Sequence, residues 1–166
     1  GYAVTSSPAM LTVIADTTPP VLIGAQSLGL SQVQISFSER IKSATAVNLA
    51  NYSITGTGGS VAISSAALDA SQSNVVLNVA TLTDGASYTI TVNHLADQSA
   101  AANVIAANSH TNFTASVYAP LAVGGAMPTG SLTSVAGGYD IFGGGGADVG
   151  GTNDQFQFNY VQRTGD

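Results

Sequence analysis

Strict two-residue alternation is the feature that most limits what this chain can become. In "QVQISFS" (32–38), Val33, Ile35 and Phe37 fall on one side, and Gln32, Gln34 and Ser36 on the other. That is the pattern of a strand with one face buried. The pattern recurs in "NVVLNV" (Val75, Leu77, Val79), "SYTITV" (Tyr88, Ile90, Val92) and "NFTASV" (Phe113, Ala115, Val117). Shorter strands are expected at 21–26, 52–55 and 61–67, with turn chemistry such as "TGTGG" and "TDG" between runs. About seven strands at intervals of roughly ten residues predict an all-β, two-sheet sandwich. Only "SATAVNLAN" (43–51) reads as helical, and it is too short to stand alone.

The composition agrees. Charged residues make up 7% of the 166 residues and hydrophobic ones 45%, too few charges to coat long surface helices. Three basic residues against nine acidic ones exclude nucleic acid as a partner, because phosphates demand clustered Lys and Arg. No apolar run reaches the ~18 residues that cross a bilayer as a helix, so membrane insertion is not expected. With no cysteine, there is neither a disulfide framework nor a thiolate site.

The ends read differently from the middle. "MLTVIA" near the start is a β-type run, and "DTTPP" (16–20) is a stiff connector, since consecutive prolines cannot join a sheet ladder. "APLAVGGAMPTG" (119–130) is a linker by composition, and residues 118–131 are assigned to it. A short strand at 131–135 and the alternating "DQFQFNYVQ" follow, flanking "GGYDIFGGGGADVGGTNDQF" (137–156), which holds eight glycines and three aspartates. This glycine-rich stretch is not a phosphate loop, because no Lys-Ser/Thr follows and a strand comes next. It also lacks the constant period of a stacked calcium-binding repeat. Tyr139, Ile141, Phe142 and Phe156 are too many large apolar residues for a disordered linker. Tight turns between short strands are expected instead.

The pieces "DTTPPVLIGAQ", "VQISFSERI" with "TAVNLANYSI", "SSAALDASQSNVVLNV" and "LTDGASYTITVNHLAD" occur in that order. Together they resemble the bacterial immunoglobulin-like modules of S-layer and large secreted proteins. That resemblance implies an immunoglobulin-like, fibronectin-III-like Greek-key sandwich over residues 16–117. "VTSSPAMLTV" resembles the last strand of a preceding repeat, which assigns 1–15 to that repeat. "GGGGADVGGTNDQFQFNYVQRTGD" is similar to the early part of a concanavalin-like jelly-roll, so 132–166 is expected to be the truncated start of such a domain. The resemblances imply a slice of a bacterial protein that is secreted or held at the cell surface.

Catalytic constellations are absent, and no enzyme is expected. Glu39 is the single glutamate and sits beside Arg40 in "SERIK", which suggests an ion pair at a sheet end. Tyr88 follows Asp84-Gly85 and is expected to hydrogen-bond back to the preceding corner. His94 and His110 lack the spacing of a zinc site. Asp16, Asp69, Asp84 and Asp97 fall in turns, where aspartates cap backbone amides. No cofactor is expected. Calcium at a module junction would need six or more oxygens, and Asp16 beside a loop carboxylate is the candidate.

The reading that results is a non-catalytic spacer module whose partners are neighbouring domains of its own chain. The alternative is carbohydrate binding or adhesion, with exposed aromatics stacking on sugar rings. The ligand-binding candidates are Tyr139, Asp140, Phe142, Asp148, Asn153, Phe156 and Tyr160. A strand edge within 131–162 also invites a homodimer.

Overall fold

The structure, a computed structural model, describes Gly1 and residues 14–135, 138–146 and 154–161. The expected strand before residue 14, as well as Asp148 and Asn153, lie outside the described residues.

Two four-stranded antiparallel sheets form the body. The first runs in the order β1 (Leu22–Ser27), β2 (Gln32–Phe37), β6 (Asn74–Val79), β5 (Ile63–Leu68). The second runs β4 (Gly59–Val61), β3 (Tyr52–Gly56), β7 (Ser87–Val92), β8 (Ser109–Thr114). The alternation sets the register: Val33 pairs with Leu77 across β2 and β6, and Ile54 with Ile90 across β3 and β7. The inward-pointing side chains of both sheets meet in one core that includes Val33, Ile35, Phe37, Ile54, Val75, Leu77, Ile90, Val92 and Phe113. Burying such side chains contributes about 1.5–3 kcal/mol each.

Eight strands build the sandwich, where about seven were expected. The 61–67 run divides, because a short hairpin strand ends at Val61 and a new strand starts at Ile63 and passes to the other sheet. The last sandwich strand begins at Ser109, earlier than "NFTASV" suggested. The helical segment appears as α1 (Ser43–Ala46) and a single 3-10 turn (Leu49–Asn51). Tyr52 anchors it by donating its hydroxyl to the Ala46 carbonyl at 2.7 Å, and burial pushes the Tyr52 phenol well above its ordinary value.

The first and last sandwich strands lie beside each other without ladder pairing. Ser27 at the end of β1 donates to the Thr114 carbonyl at 3.4 Å and accepts from the Ser116 amide at 2.8 Å. Because the end of one strand meets the end of the other, β1 and β8 run in the same direction.

After the sandwich come two ribbons. β9 (Ala119–Val123) pairs with β12 (Phe156–Tyr160), and β10 (Ser131–Val135) pairs with β11 (Gly138–Phe142). Residues 119–123 thus form a strand within a segment whose composition suggested a linker; the pairing with β12 supplies the order that Pro120 and the following glycines hide. Gly145 shows why glycines crowd here. Its φ is +123°, and an added Cβ would collide with the Gln155 carbonyl oxygen. No helix among the described residues is long and apolar enough to cross a membrane.

Candidate functional site

The candidate residues of the glycine-rich region do not converge. Tyr139, Asp140 and Phe142 sit on β11, whereas Phe156 and Tyr160 sit on β12. Alternation sends Tyr139 to the opposite face of β11 from Asp140 and Phe142. Asp140 is exposed, and Phe142 and Phe156 are 57% and 44% exposed. On β12, Phe158 and Tyr160 share a face, their rings 6.0 Å apart and 13° from parallel.

Tyr139 is engaged internally. Its hydroxyl lies 2.8 and 2.6 Å from the two carboxylate oxygens of Asp84, and its ring meets Tyr118 edge-on at 4.9 Å. Burial raises the Tyr139 pKa, and the Asp84 hydrogen bond and charge add to it. Asp84 also accepts from the Val117 amide at 3.0 Å, so one turn carboxylate holds both the chain leaving the sandwich and the ribbon that follows. Sequence reasoning had Asp84 as a turn cap and missed its second partner, 55 residues away.

Tyr88 makes the expected corner bond, accepting from the Thr83 amide at 2.9 Å while its ring stacks on Phe113. Glu39 is differently placed from the expectation of an Arg40 pair: its charged neighbours are Asp97 and Asp16. One carboxylate oxygen from each of Asp16, Glu39 and Asp97 lies within 4.8 Å of the others. Burial and then these two like charges raise the Glu39 pKa. Neither histidine joins this cluster.

Asp97 is fully buried. One of its oxygens accepts from the Ser99 amide (3.1 Å), the Ser99 hydroxyl (2.8 Å) and the Asn103 amide (3.0 Å). The other accepts from the Asn103 side chain at 2.8 Å. Burial alone would raise the Asp97 pKa, but the bonds from Asn103 and Ser99 outweigh it and hold the pKa below the ordinary value. Asn103 reaches onward to the Asp16 carbonyl at 3.1 Å, tying the connector before β1 to the loop after β7. A calcium ion takes six to eight oxygens. This cluster brings three carboxylates, one of which is already committed to folding its own loop.

A cleft of about 370 Å³ with a mixed polar and apolar lining lies between the sandwich and the ribbons, formed by Gln26, Thr114, Ala122, Leu132 and Gln157 among others. Among the described residues lining it there is no charged side chain. The Asn103 side chain ties the segment before the sandwich to its body, and the Asp84 carboxylate ties the segment after it.

Comparison with known proteins gives the same picture. Among solved structures, the chain resembles domains 1–6 of the surface layer protein SbsC (TM-score 0.56, 20% identity), covering 75% of this chain and 18% of that one. It resembles the N-terminal part of the bacterial S-layer protein SbsC (0.55, 20%), covering 75% of this chain and 31% of that one. It also resembles the S-layer protein rSbsC(31-844) (0.56, 19%), covering 83% of this chain and 19% of that one. The chain therefore spans less than a third of the length of each. At such identities the likeness concerns the fold. Comparison with curated proteins gives no match. The family model described as a bacterial Ig-like domain matches residues 7–115. With two packed antiparallel sheets and a family match over most of its length, the chain belongs to the bacterial Ig-like domain family.

Proposed function

We propose that this chain is a non-catalytic spacer module of a longer bacterial protein that is exported or held at the cell surface, where it sets the position of its neighbours. The observation that carries this reading is the fastening at both ends of the sandwich. Asn103 holds the Asp16 connector on one side, and Asp84 holds Val117 and Tyr139 on the other. These bonds tie the chain entering and leaving the sandwich to its body, as a spacer that fixes its neighbours requires. The S-layer proteins it resembles support a place at the cell surface.

Donor and acceptor dyes on the connector before β1 and on β11 test the reading. One narrow distance distribution is expected, and a broad one would show a hinge and defeat it. Antibodies against the chain should label intact producing cells; label appearing only after lysis would defeat the location.

A second reading, carbohydrate binding, draws support from the nearly parallel rings of Phe158 and Tyr160, a platform of the kind sugar rings stack on. A glycan array with the chain tests it, and an empty array removes it.

A further inference from the structure

The strand β12 carries an inverted pattern. Its aromatics Phe156 and Phe158 face solvent at 44% and 50% exposure, while Gln157 turns inward to line the cleft between sandwich and ribbons. Leu121, paired with Phe158 across the ribbon, is 49% exposed as well. Among the described residues β12 has no ladder partner but β9, and along its other edge Gly145 approaches the Gln155 carbonyl just before the strand begins. A two-stranded ribbon with a free edge and an apolar face is marginal in water and gains most from added strands.

From these features we infer that β12 pairs edge to edge, antiparallel, with β12 of a second copy of this chain. The two ribbons then form one four-stranded sheet, in the order β9-β12-β12-β9.

Self-complementarity selects a second copy over an unlike partner. The strand reads Phe-Gln-Phe-Asn-Tyr, symmetric in chemical type about Phe158. A two-fold axis there sets Phe158 opposite Phe158, Phe156 opposite Tyr160, and Gln157 opposite Asn159. Aromatic pairs fall on one face and side-chain amides on the other, combinations that stabilise cross-strand neighbours. An isologous interface requires this property of one patch meeting itself. Charge points the same way: the chain carries a net charge of −6, yet neither Ala119–Val123 nor Phe156–Tyr160 holds a charged residue. The ribbon is thus a place where two copies approach without like-charge repulsion. The inference is independent of the spacer reading, since a monomeric spacer and a dimeric one share the same sandwich.

Sedimentation velocity over a concentration series tests it. The wild-type chain should shift from monomer to dimer as concentration rises. Phe158→Asp and Phe158→Lys place like charges across the axis, so each alone should need about tenfold or more higher concentration to associate. An equimolar mixture of the two should associate again. The chain has no cysteine, so Phe158→Cys should oxidise to a covalent dimer, whereas Ile23→Cys, equally open on β1, should not. A wild-type chain that stays monomeric to its solubility limit would overturn the inference. So would charge variants that associate as wild type does, a mixture that fails to recover, or equal cross-linking at 158 and 23. Thermal unfolding of each variant shows that the sandwich is intact, and the cysteine pair decides the matter if a charge variant unfolds.

Discussion

Tyr139 and Asp84 join the two parts of the described chain: the phenol of the ribbon rests between both oxygens of a sandwich-corner carboxylate, at 2.8 and 2.6 Å. A hydrogen bond to a charged group contributes about 1.5–3 kcal/mol when well formed, and less where solvent reaches it, as it does here. Tyr139→Phe should therefore speed hydrogen exchange in residues 131–142 and leave the sandwich melting temperature nearly unchanged.

The same contact should respond to alkali. The Tyr139 pKa is raised above its ordinary value of 10.0. A raised pKa means that the stabilisation is fully present below the unfolded tyrosine value and is lost as pH rises through the folded one. Ribbon protection in wild type should fall in that alkaline window, whereas Tyr139→Phe should show no such step. Tyrosinate absorbance measured alongside exchange checks this.

Carboxylates on the sandwich titrate with opposite consequences. Asp97 and Asp69 have pKa values lowered from 3.8, so their stabilisation is present above that value and is lost as pH falls through the folded pKa. Glu39 is raised from 4.5 by burial, Asp97 and Asp16. Its repulsion is absent below 4.5 and sets in as pH rises through the folded value. Glu39→Gln should raise the melting temperature near neutral pH, by an amount that fades on acidification; Asn103→Ala removes a bond that holds the Asp97 pKa down, so it should lower the melting temperature at neutral pH and flatten the acid limb. Melting curves from acid to neutral pH check both.

Gly56 and Tyr88 are cross-strand partners, and a Cβ on Gly56 would sit 2.7 Å from the tyrosine ring. Gly56→Ala should cost about 1–3 kcal/mol through forced rearrangement of the ring. Tyr88→Phe keeps the ring and loses only the Thr83 bond, so about 1 kcal/mol is expected. Denaturant melts of the two variants separate the ring's packing from its hydroxyl.

The strands of the sandwich were readable because each buries one face, and burial writes itself into every second residue. Val33, Ile35 and Phe37 announce β2 without help from any partner. β9 was not readable, since Pro120 and Gly124 interrupt its pattern and its order comes from β12, some 35 residues later. The acidic cluster was hidden for a related reason. It gathers residues 16, 39 and 97 from three separate loops, whereas adjacency in sequence offered only Arg40 to Glu39. Tyr139 read as a ligand-binding aromatic because its partner Asp84 already had an evident duty as a turn cap.

The parallel course of β1 and β8 has a mechanical consequence. The chain enters the sandwich at the start of β1 and leaves it at the end of β8, so tension on the polypeptide pulls these neighbours in opposite directions along their length. Ser27, bonded to both Thr114 and Ser116, then resists as a rivet loaded in shear. The flanking ladders must slide as a group and cannot unzip one rung at a time.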